Sequence, residues 1–516
     1  MTVLSARDGH FKSTALVSAL LAALCALAAG PSYVNHDAAW YLYVVRRLWD
    51  GATLYRDVID TNPPLIVWAS APPVLAGWLT GISVAAAFKT YVFAFAAAAL
   101  LVVDAIVRRT WRDHRFLLVT GAAFVTLPFV KTDFGQREHF AVLLTLPYVV
   151  AAAARPVALP TVLRVVVGVA AGLGFAIKPH FAAAWLGVEL LAWRREGRSA
   201  FRRTELLAAA AACAAYAAAL LLLTPEYLAV ADQVRRVYGG LDSPSAVLLR
   251  LREVQLWLVA AALLVAVRWP ATARLPPTLF AAATGYLIGA LLQFKGWGYQ
   301  LYPARAFTVL FLIAAVAVLL DVVPGVLSVL RGGRRGLAAV FAGAMVVASM
   351  RYVAEARRPA APDLVAPLIA AIAAHAPEGP LTVLSMRTII YPAFPAVNYT
   401  STSWGLRHNA LWFLPGFYRD QVVSGVGPLE AHAPDRMVPL ERLFFDQIIE
   451  DLCRFPPRLL AVERAASAAP AGRRALDLQA YYSQDPRARR LFDGYQPAQP
   501  VGPFMLMTSS GTASCD

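Results

Sequence analysis

Long apolar runs dominated by Ala, Leu and Val recur along roughly the first 350 residues of the chain. Many approach the ~20 residues that a helix needs to cross a bilayer. Because lipid offers the backbone no hydrogen-bond partner, such runs must form helices. The pattern predicts about eleven spanning helices: Thr14–Ala29, Val84–Val107, Phe116–Val130, Phe140–Ala154, Leu163–Ile177, Phe181–Trp193, Leu206–Leu223, Leu256–Val267, Leu279–Leu292, Phe307–Leu320 and Leu337–Met350.

The overall composition agrees with a membrane protein. Hydrophobic residues make up 59% of the chain and charged residues only 15%, whereas soluble proteins are about 25% charged. The mean hydropathy is +0.56. The net charge of +15 lies mostly in short loops, where the positive-inside rule places Arg and Lys. We therefore expect membrane lipids, and not nucleic acid, around this chain.

Basic loops and polar clusters alternate between the apolar runs. With a cytoplasmic N-terminus, nearly all the compact basic loops fall inside, as the positive-inside rule requires: Arg108–Arg112, Arg155, Arg194–Arg203, Arg268–Arg274 and Arg331–Arg335. Five polar clusters then fall outside: Asp37–Asp60, Asp133–His139, Lys178–His180, Asp232–Tyr238 and Gln293–Tyr302. The sequence thus predicts a multi-pass protein of a bacterial inner membrane, whose outer clusters converge on one site at the membrane surface.

The first apolar run allows two interpretations. A basic start precedes it, and Ala26-Leu27-Ala28 resembles a signal-peptide cleavage site. We favour an uncleaved first helix. In both cases the chain emerges on the outer face at Gly30.

The chain is predicted to contain two domains. Residues 1–350 form an all-α transmembrane domain with an outer interfacial loop at 31–83, and residues 351–516 form a small periplasmic α/β domain. Within this second domain we expect short strands at Leu381–Ser385 and Leu459–Glu463, and amphipathic helices at Ala361–Ala374 and Leu440–Cys453. Disorder is expected from about Ser509. Cys453 and Cys515 can pair if this domain faces an oxidising compartment.

The outer loop after the first run is predicted to begin with an amphipathic helix in the membrane interface. Arg46, Arg47 and Asp50 share one face. Gly51 ends the helix, and Asn62-Pro63-Pro64 marks a turn before the chain becomes apolar again. The opposite, apolar face contains Trp40, Tyr41, Val44, Val45, Leu48 and Trp49.

This loop resembles the first outer loop of GT-C glycosyltransferases, a class that includes protein O-mannosyltransferases, lipid A aminoarabinose transferases and rhizobial lipopolysaccharide transferases. The resemblance rests on Asp37, Trp40-Tyr41, Gly51, Tyr55-Arg56-Asp57 and Pro63-Pro64-Leu65. It implies a GT-C-like fold, a sugar donor carried on a polyprenyl phosphate, an acceptor reached from the outer side and an inverting transfer. It also implies that Asp37 acts on the acceptor nucleophile. Many relatives carry a basic residue where this chain has Asn62, so cations for the donor phosphate must come from elsewhere.

Transfer from a lipid phosphate needs a base for the acceptor and cations for the departing phosphate. Asp37 is the candidate base; the alternative is that it merely caps a helix. The candidate phosphate ligands are Arg137, His139, Lys178 and Lys295, and either Asp133 or Glu138 is a candidate second acid. The alternatives are a solvated turn for the residues near Glu138 and a side chain that snorkels to the headgroups for Lys178.

Four aromatic or acidic residues and one further histidine complete the predicted substrate-binding set: Tyr55, Asp60, His180, Trp297 and Tyr299. Trp297 and Tyr299 suit either sugar stacking or an interfacial aromatic belt. No strong metal-ligand motif is present, so no cofactor is assigned, although Asp37 with Asp60 could hold a divalent cation.

We therefore expect a membrane glycosyltransferase whose partners are a polyprenyl-phosphate-linked sugar donor and a cell-surface glycan, lipid or protein acceptor. The sequence shows no phosphate-binding loop of nucleotide hydrolases and no dinucleotide fingerprint. Two alternatives stay open. One is a transporter or flippase for an anionic lipid-linked substrate, and the other is a non-catalytic envelope assembly protein.

Overall fold

The computed structural model describes residues 2–155, 157, 159–241, 251–322, 333–358, 363–387, 390–424, 429–464, 476–509 and 513–516. Contacts between Cα atoms divide the chain into two compact units. The first, here called the helical unit, comprises Met1–Tyr33, Leu75–Leu221 and Ser243–Arg358. The second, the mixed unit, comprises Val34–Val74, Leu222–Asp242 and Pro359–Asp516. The sequence-based domain boundaries assumed contiguous segments, and they stay a prediction.

The helices follow in chain order as α1 (Thr2–Ala29), α2 (His36–Trp49), α3 (Leu65–Ala69), α4 (Ala71–Thr80), α5 (Val84–Thr110), α6 (Arg115–Thr126), α7 (Arg137–Ala153), α8 (Thr161–Ala176), α9 (Ala182–Glu196), α10 (Thr204–Leu223), α11 (Tyr227–Val237), α12 (Leu251–Ala266), α13 (Leu275–Leu291), α14 (Tyr302–Val322), α15 (Gly333–Ala356), α16 (Val365–His375), α17 (Ala393–Ala396), α18 (Leu414–Phe417), α19 (Arg419–Ser424), α20 (Pro439–Arg454), α21 (Leu478–Tyr482) and α22 (Pro486–Asp493). The strands are β1 (Pro380–Leu384), β2 (Ser403–Trp404), β3 (Leu459–Glu463), β4 (Tyr495–Val501) and β5 (Phe504–Ser509).

Each predicted apolar run falls largely on one helix, although α6 ends at Thr126, before the predicted end at Val130. Within the described part of the chain, six helical segments are long and apolar enough to cross a membrane by length and composition. The chain is therefore a multi-pass membrane protein. Because other helices are shorter, such as Thr161–Ala176 and Leu275–Leu291, the exact number of spanning helices stays a prediction. The predicted inner loop at Arg331 begins outside the described residues.

Two helices of this unit approach each other at a glycine. A Cβ atom added to Gly285 on α13 would lie 2.3 Å from the Cα atom of Ala184 on α9. Only glycine permits this approach, and small residues commonly bring membrane helices together in this way. By contrast, a Cβ atom added to Gly343 on α15 would have nothing within 4 Å.

The mixed unit contains a five-stranded sheet in the order β2-β1-β3-β5-β4. The β1 strand pairs in parallel with β2 and β3, whereas β5 runs antiparallel to β3 and β4. Both predicted strands are confirmed. The two predicted amphipathic helices correspond to α16 and α20, although residues 361 and 362 lie outside the described residues.

The C-terminal residues are more ordered than the sequence indicates. Cys515 forms a disulfide with Cys453 of α20, and Arg490 donates two hydrogen bonds to the carbonyl oxygen of Cys515. The predicted disorder from about Ser509 is therefore wrong for residues 513–516. Composition alone missed this because a covalent bond between distant residues fixes the segment.

The first outer loop begins with the predicted helix, α2, but protein covers more of this helix than the amphipathic pattern indicates. Arg46 and Asp50 of the predicted polar face are exposed, whereas eight consecutive residues, from Ala38 to Val45, are buried. The cause is packing within the mixed unit: the ring of Phe394 lies 5.1 Å from that of Trp40 and 5.3 Å from that of Tyr43. Trp49, predicted on the apolar face, is 56% exposed.

The contrast between the two glycines gives a test of the helix packing. We expect Gly285→Ala to destabilise the protein by about 1–3 kcal/mol, because it overpacks the contact between α13 and α9. Gly343→Ala is the matched control and should be neutral or stabilising by up to ~1 kcal/mol, because alanine favours helix over glycine. Thermal unfolding of the purified full-length protein measures both. Equal melting temperatures for the two variants would contradict the close approach.

Candidate functional site

Asp37 lies in the first turn of α2, with its carboxylate only partly buried. The helix is capped by Asn35, whose Oδ1 accepts a hydrogen bond from the Asp37 amide at 3.0 Å. The capping role that the sequence allowed for Asp37 therefore belongs to Asn35. The Asp37 side chain is 19% exposed, and its Oδ1 lies 3.6 Å from Nε2 of His36. Capping therefore does not account for the Asp37 side chain, and its role as a base stays a prediction.

Asp60 organises the loop that follows α2. Its side chain is 1% exposed, and Oδ2 accepts a hydrogen bond from Nε1 of Trp40 at 2.7 Å. Oδ1 accepts two further bonds, from the main-chain nitrogen of Asn62 at 2.6 Å and from its Nδ2 at 2.9 Å. Trp40 lies three residues after Asp37, on the same side of α2. Asp60 thus fixes the helix that carries Asp37.

Tyr55 belongs to the same loop and adopts a positive φ of 69°. Its hydroxyl donates to the carbonyl oxygen of Asn62 at 2.7 Å, which closes the loop on itself. Its ring lies 5.2 Å from that of Tyr227 on α11.

Tyr227 was missed by the sequence analysis. Burial, together with the nearby charge of Asp60, raises the pKa of Tyr227 to about 12, so its hydroxyl keeps its proton at neutral pH. The sequence offered no signal for this residue, because the predicted polar cluster began only at Asp232. Tyr227 places a phenol beside the loop that Asp60 organises.

In the helical unit, Glu138 and Lys178 form a buried ion pair between Oε1 and Nζ. Glu138 is 0% exposed, and its Oε2 has no hydrogen-bond partner among the described residues. Lys178 also lies 5.4 Å from the ring centroid of Tyr299. The alternatives of a solvated turn at Glu138 and of a snorkelling Lys178 are therefore wrong, since both side chains are enclosed by protein.

His180 lies in the turn between α8 and α9, beside two cations. Burial, then Lys178 and Arg137, lower its pKa to about 3, so the imidazole is neutral at physiological pH. Its Nε2 is buried without a hydrogen-bond partner in the described chain. Arg137 is buried as well. Lys178 and Arg137 thus place two buried cations beside His180, and Lys178 is paired with Glu138.

His139 is already bonded to the main chain through both ring nitrogens. Nδ1 accepts from the amide of Gly135 at 3.0 Å, and Nε2 lies 2.8 Å from the carbonyl oxygen of Thr126. A contact with phosphate would require one of these bonds to break. The predicted phosphate contact of His139 is untested, but this geometry favours a structural role.

Lys295, Trp297 and Tyr299 lie in the turn between α13 and α14. Phe294 and Gly296 both adopt positive φ there, at 51° and 65°, and Lys295 is buried. The rings of Trp297 and Tyr299 stack with centroids 5.9 Å apart. Lys178 contacts Tyr299 of this turn and pairs with Glu138, so three of the predicted clusters meet in the helical unit.

The predicted residues thus fall into two groups, one in each unit. Asp37, Tyr55 and Asp60 belong to the mixed unit, whereas the other predicted site residues belong to the helical unit. The Asp232–Tyr238 cluster forms part of α11, where Asp232 pairs with Arg235 and Arg236. Convergence of all five clusters on one site stays a prediction.

A divalent cation between Asp37 and Asp60 also stays a prediction. Among the described residues, no group of three or more His, Cys, Asp or Glu side chains is arranged to hold a metal ion. Asp60 accepts N–H bonds at both oxygens, which fits a structural role better than metal ligation.

Comparison with known proteins identifies the fold. A crystal structure of ArnT from Cupriavidus metallidurans bound to undecaprenyl phosphate is 14% identical, covers 98% of each chain and has a TM-score of 0.57. The chain has the ArnT fold. The apo structure of the same ArnT is 15% identical over 99% of each chain, with a TM-score of 0.59. No protein-family model and no curated protein matches the chain.

These similarities confirm, at the level of the fold, the GT-C resemblance inferred from the first outer loop. The ArnT structures span nearly the whole chain, whereas the sequence resemblance covered only residues 33–68. The ArnT likeness therefore extends to the C-terminal sheet as well as the membrane helices.

The network around Asp60 can be tested by substitution. We expect Asp60→Ala to destabilise the protein by about 1–3 kcal/mol, because it leaves the buried Trp40 indole without an acceptor. Asp60→Asn keeps an acceptor oxygen and should cost less. Asp50→Ala, at the exposed end of the same helix, should change stability by no more than about 0.5 kcal/mol. Thermal unfolding of the full-length protein checks all three, and equal effects at Asp50 and Asp60 would refute the organising role.

Proposed function

We propose that this protein transfers a sugar from a polyprenyl-phosphate-linked donor to a glycan, lipid or protein acceptor on the outer face of a bacterial inner membrane. The observation that carries the proposal is the whole-chain likeness to ArnT, one structure of which contains undecaprenyl phosphate. Buried cations in the helical unit give independent support, since intramembrane charges are costly and commonly functional.

In this proposal Asp37 is the catalytic base. Its carboxylate is partly exposed and lies on a helix fixed by the bond between Trp40 and Asp60. It would orient and deprotonate the acceptor hydroxyl, which then attacks the anomeric carbon from the side opposite the phosphate. The bond from sugar to phosphate breaks, and the polyprenyl phosphate leaves with the electron pair. One displacement of this kind inverts the anomeric configuration.

The departing phosphate would be stabilised by Arg137, Lys178 and Lys295. All three side chains are buried, and charge stabilisation by fixed cations is stronger where water is excluded. Arg suits bidentate contact with phosphate oxygens. Glu138 would hold Lys178 in place through their ion pair, while the neutral His180 can donate one hydrogen bond. Together these groups would supply the charge that Asn62 lacks.

The aromatic residues would contact the sugar or the acceptor. Trp297 and Tyr299 form a stacked pair beside Lys178, a surface suited to a sugar ring next to its phosphate. Tyr55 would line the acceptor side of the Asp60 loop. The transporter alternative places charges near the bilayer midplane within broken helices. It is less well supported, because these cations lie in turns at helix ends.

The role of Asp37 can be tested in a deletion strain. Mass spectrometry of surface glycans and lipids should show a missing sugar that wild-type protein restores and Asp37→Asn does not, because the amide cannot act as a base. Asp50→Asn, at the far end of α2, is the matched control and should restore the sugar. Equal restoration by Asp37→Asn at matched membrane levels would refute the assignment and favour a transporter or assembly protein.

Variants of the ion pair between Glu138 and Lys178 can separate the effect of Lys178 on stability from its effect on donor binding. Lys178→Met should destabilise the protein by about 3–5 kcal/mol, because it leaves Glu138 buried without its counter-ion. The double variant Glu138→Gln/Lys178→Met should regain most of this stability, yet it should still bind undecaprenyl phosphate more weakly than wild type. Lys131→Met, which removes an exposed cation paired with Glu355, should leave binding unchanged.

Thermal unfolding and binding of undecaprenyl phosphate in nanodiscs give the two readouts. If the double variant is as stable as wild type and binds undecaprenyl phosphate equally well, Lys178 does not hold the phosphate.

A further inference from the structure

The loop that organises α2 is attached to the C-terminal part of the mixed unit by its main chain. The amide of Ile59 donates to the carbonyl oxygen of Arg407 at 2.7 Å, and Ile59 forms a parallel bridge with His408. Asp60 is the next residue along the chain. The position of the Asp60 backbone therefore depends on the position of residues 407 and 408.

Residues 407 and 408 are in turn fixed to α20. The Arg407 amide donates to Oδ2 of Asp451 at 2.8 Å, and its Nε donates to Oδ1 at 2.9 Å. Nη2 of Arg407 also donates to Glu450 at 2.6 Å. Asp451 is almost completely buried. The main-chain amide and the guanidinium group of Arg407 thus both donate to the buried carboxylate of Asp451. These bonds restrict the positions of Arg407 and Asp451.

Neighbouring contacts hold the same short segment from other sides. His408 is buried, and its Nε2 lies 2.9 Å from Oε1 of Gln447 on α20. Its carbonyl oxygen accepts from Nε1 of Trp404 at 2.8 Å, while the Trp404 amide donates to the hydroxyl of Tyr43 on α2 at 3.0 Å. The segment therefore contacts both the Asp60 loop and the helix that carries Asp37.

These bonds form a continuous path within the mixed unit. It runs from Asp451 through Arg407 to the backbone of Ile59, and then from the carboxylate of Asp60 to the indole of Trp40. Trp40 lies one helical turn from Asp37. Most of these links are hydrogen bonds to buried groups, for which few alternative geometries exist.

We propose that Arg407 is a positioning residue for Asp37, and that the C-terminal part of the mixed unit thereby belongs to the catalytic machinery. This inference rests on the proposed transfer function. Arg407 touches no reacting atom in the proposal. It sets where the Asp60 loop lies, and the loop sets the orientation of the helix that carries the base. Small displacements of a catalytic group lower turnover more than they lower substrate binding.

The test compares Arg407→Gln and Arg407→Lys with Arg387→Gln in the full-length protein. Arg387 pairs with Glu463 of β3 at 2.6 Å and belongs to the same unit, so it controls for the loss of an arginine–carboxylate pair. Lysine keeps the charge of Arg407 but not its forked geometry, and it should rescue in part. Arg407→Lys also provides the test if Arg407→Gln fails to fold.

Three readouts separate positioning from general destabilisation. Hydrogen–deuterium exchange should become about tenfold faster at the Ile59 amide in Arg407→Gln, the scale expected for one lost hydrogen bond. Sugar restoration in the deletion strain should fall on the order of tenfold or more at matched membrane levels. Binding of undecaprenyl phosphate should stay unchanged. Arg387→Gln should behave as wild type in all three.

Two results would overturn the inference: unchanged exchange at Ile59 in both Arg407 variants, or faster exchange with full sugar restoration. If wild-type protein itself restores no sugar, the transfer hypothesis fails separately, and the exchange result alone upholds or overturns the link from Arg407 to the Asp60 loop.

Discussion

A buried ionised group is stable in a protein only when its neighbours replace the water that it has lost. The arrangement of this chain around its two central carboxylates follows from that constraint. Asp60 receives N–H bonds at both oxygens from Trp40 and Asn62, and Glu138 receives the ammonium group of Lys178. Without such partners a buried charge costs several kcal/mol. The donors must therefore be held in place, and this requirement determines the shape of the surrounding turns.

The two carboxylates meet the constraint in different ways, with different consequences. Asp60 accepts N–H bonds from Trp40 and Asn62, and these bonds fix a loop. Glu138 is paired with the cation Lys178. The low pKa of His180 follows from burial and from the cations Lys178 and Arg137 beside it. In the proposed function, these buried cations contact the donor phosphate.

Much of the fold follows from local sequence patterns, because each long apolar run must satisfy its own backbone hydrogen bonds as a helix. The runs at Val84–Val107 and Leu206–Leu223 lie within α5 and α10, and the buried strand Leu459–Glu463 was predicted residue for residue. The predictions fail where contacts between residues distant in sequence determine the structure. α2 has an amphipathic pattern that predicts a helix at the membrane interface, yet Phe394 packs against Trp40 and Tyr43, and the Trp404 amide bonds to Tyr43. No local pattern reports a contact across more than 350 residues.

In the candidate site, too, some features follow from local sequence patterns and others depend on contacts between distant residues. Its charged residues could be found from the sequence, because cations in outer turns oppose the positive-inside tendency. The specific roles of these charged residues could not be found from the sequence, because the roles depend on hydrogen-bond and ion-pair partners elsewhere in the chain. The substrate contact of Asp60 stays a prediction, whereas its bonds to Trp40 and Asn62 have no signal in the sequence, and Tyr227 carried no signal either. The pairing of Glu138 with Lys178 joins residues forty positions apart, beyond the reach of any helical or strand periodicity.

The identity of residue 62 connects the loop to the chemistry. Relatives that the first loop resembles commonly carry a basic residue there, whereas Asn62 donates to Asp60 and accepts from Tyr55 through its carbonyl oxygen. A lysine or arginine at this position would lose the side-chain amide that donates to Asp60. This chain thus uses position 62 to hold the loop. Under the proposed function, charge for the phosphate must then come from arginine and lysine in the helical unit, where Arg137, Lys178 and Lys295 are all buried.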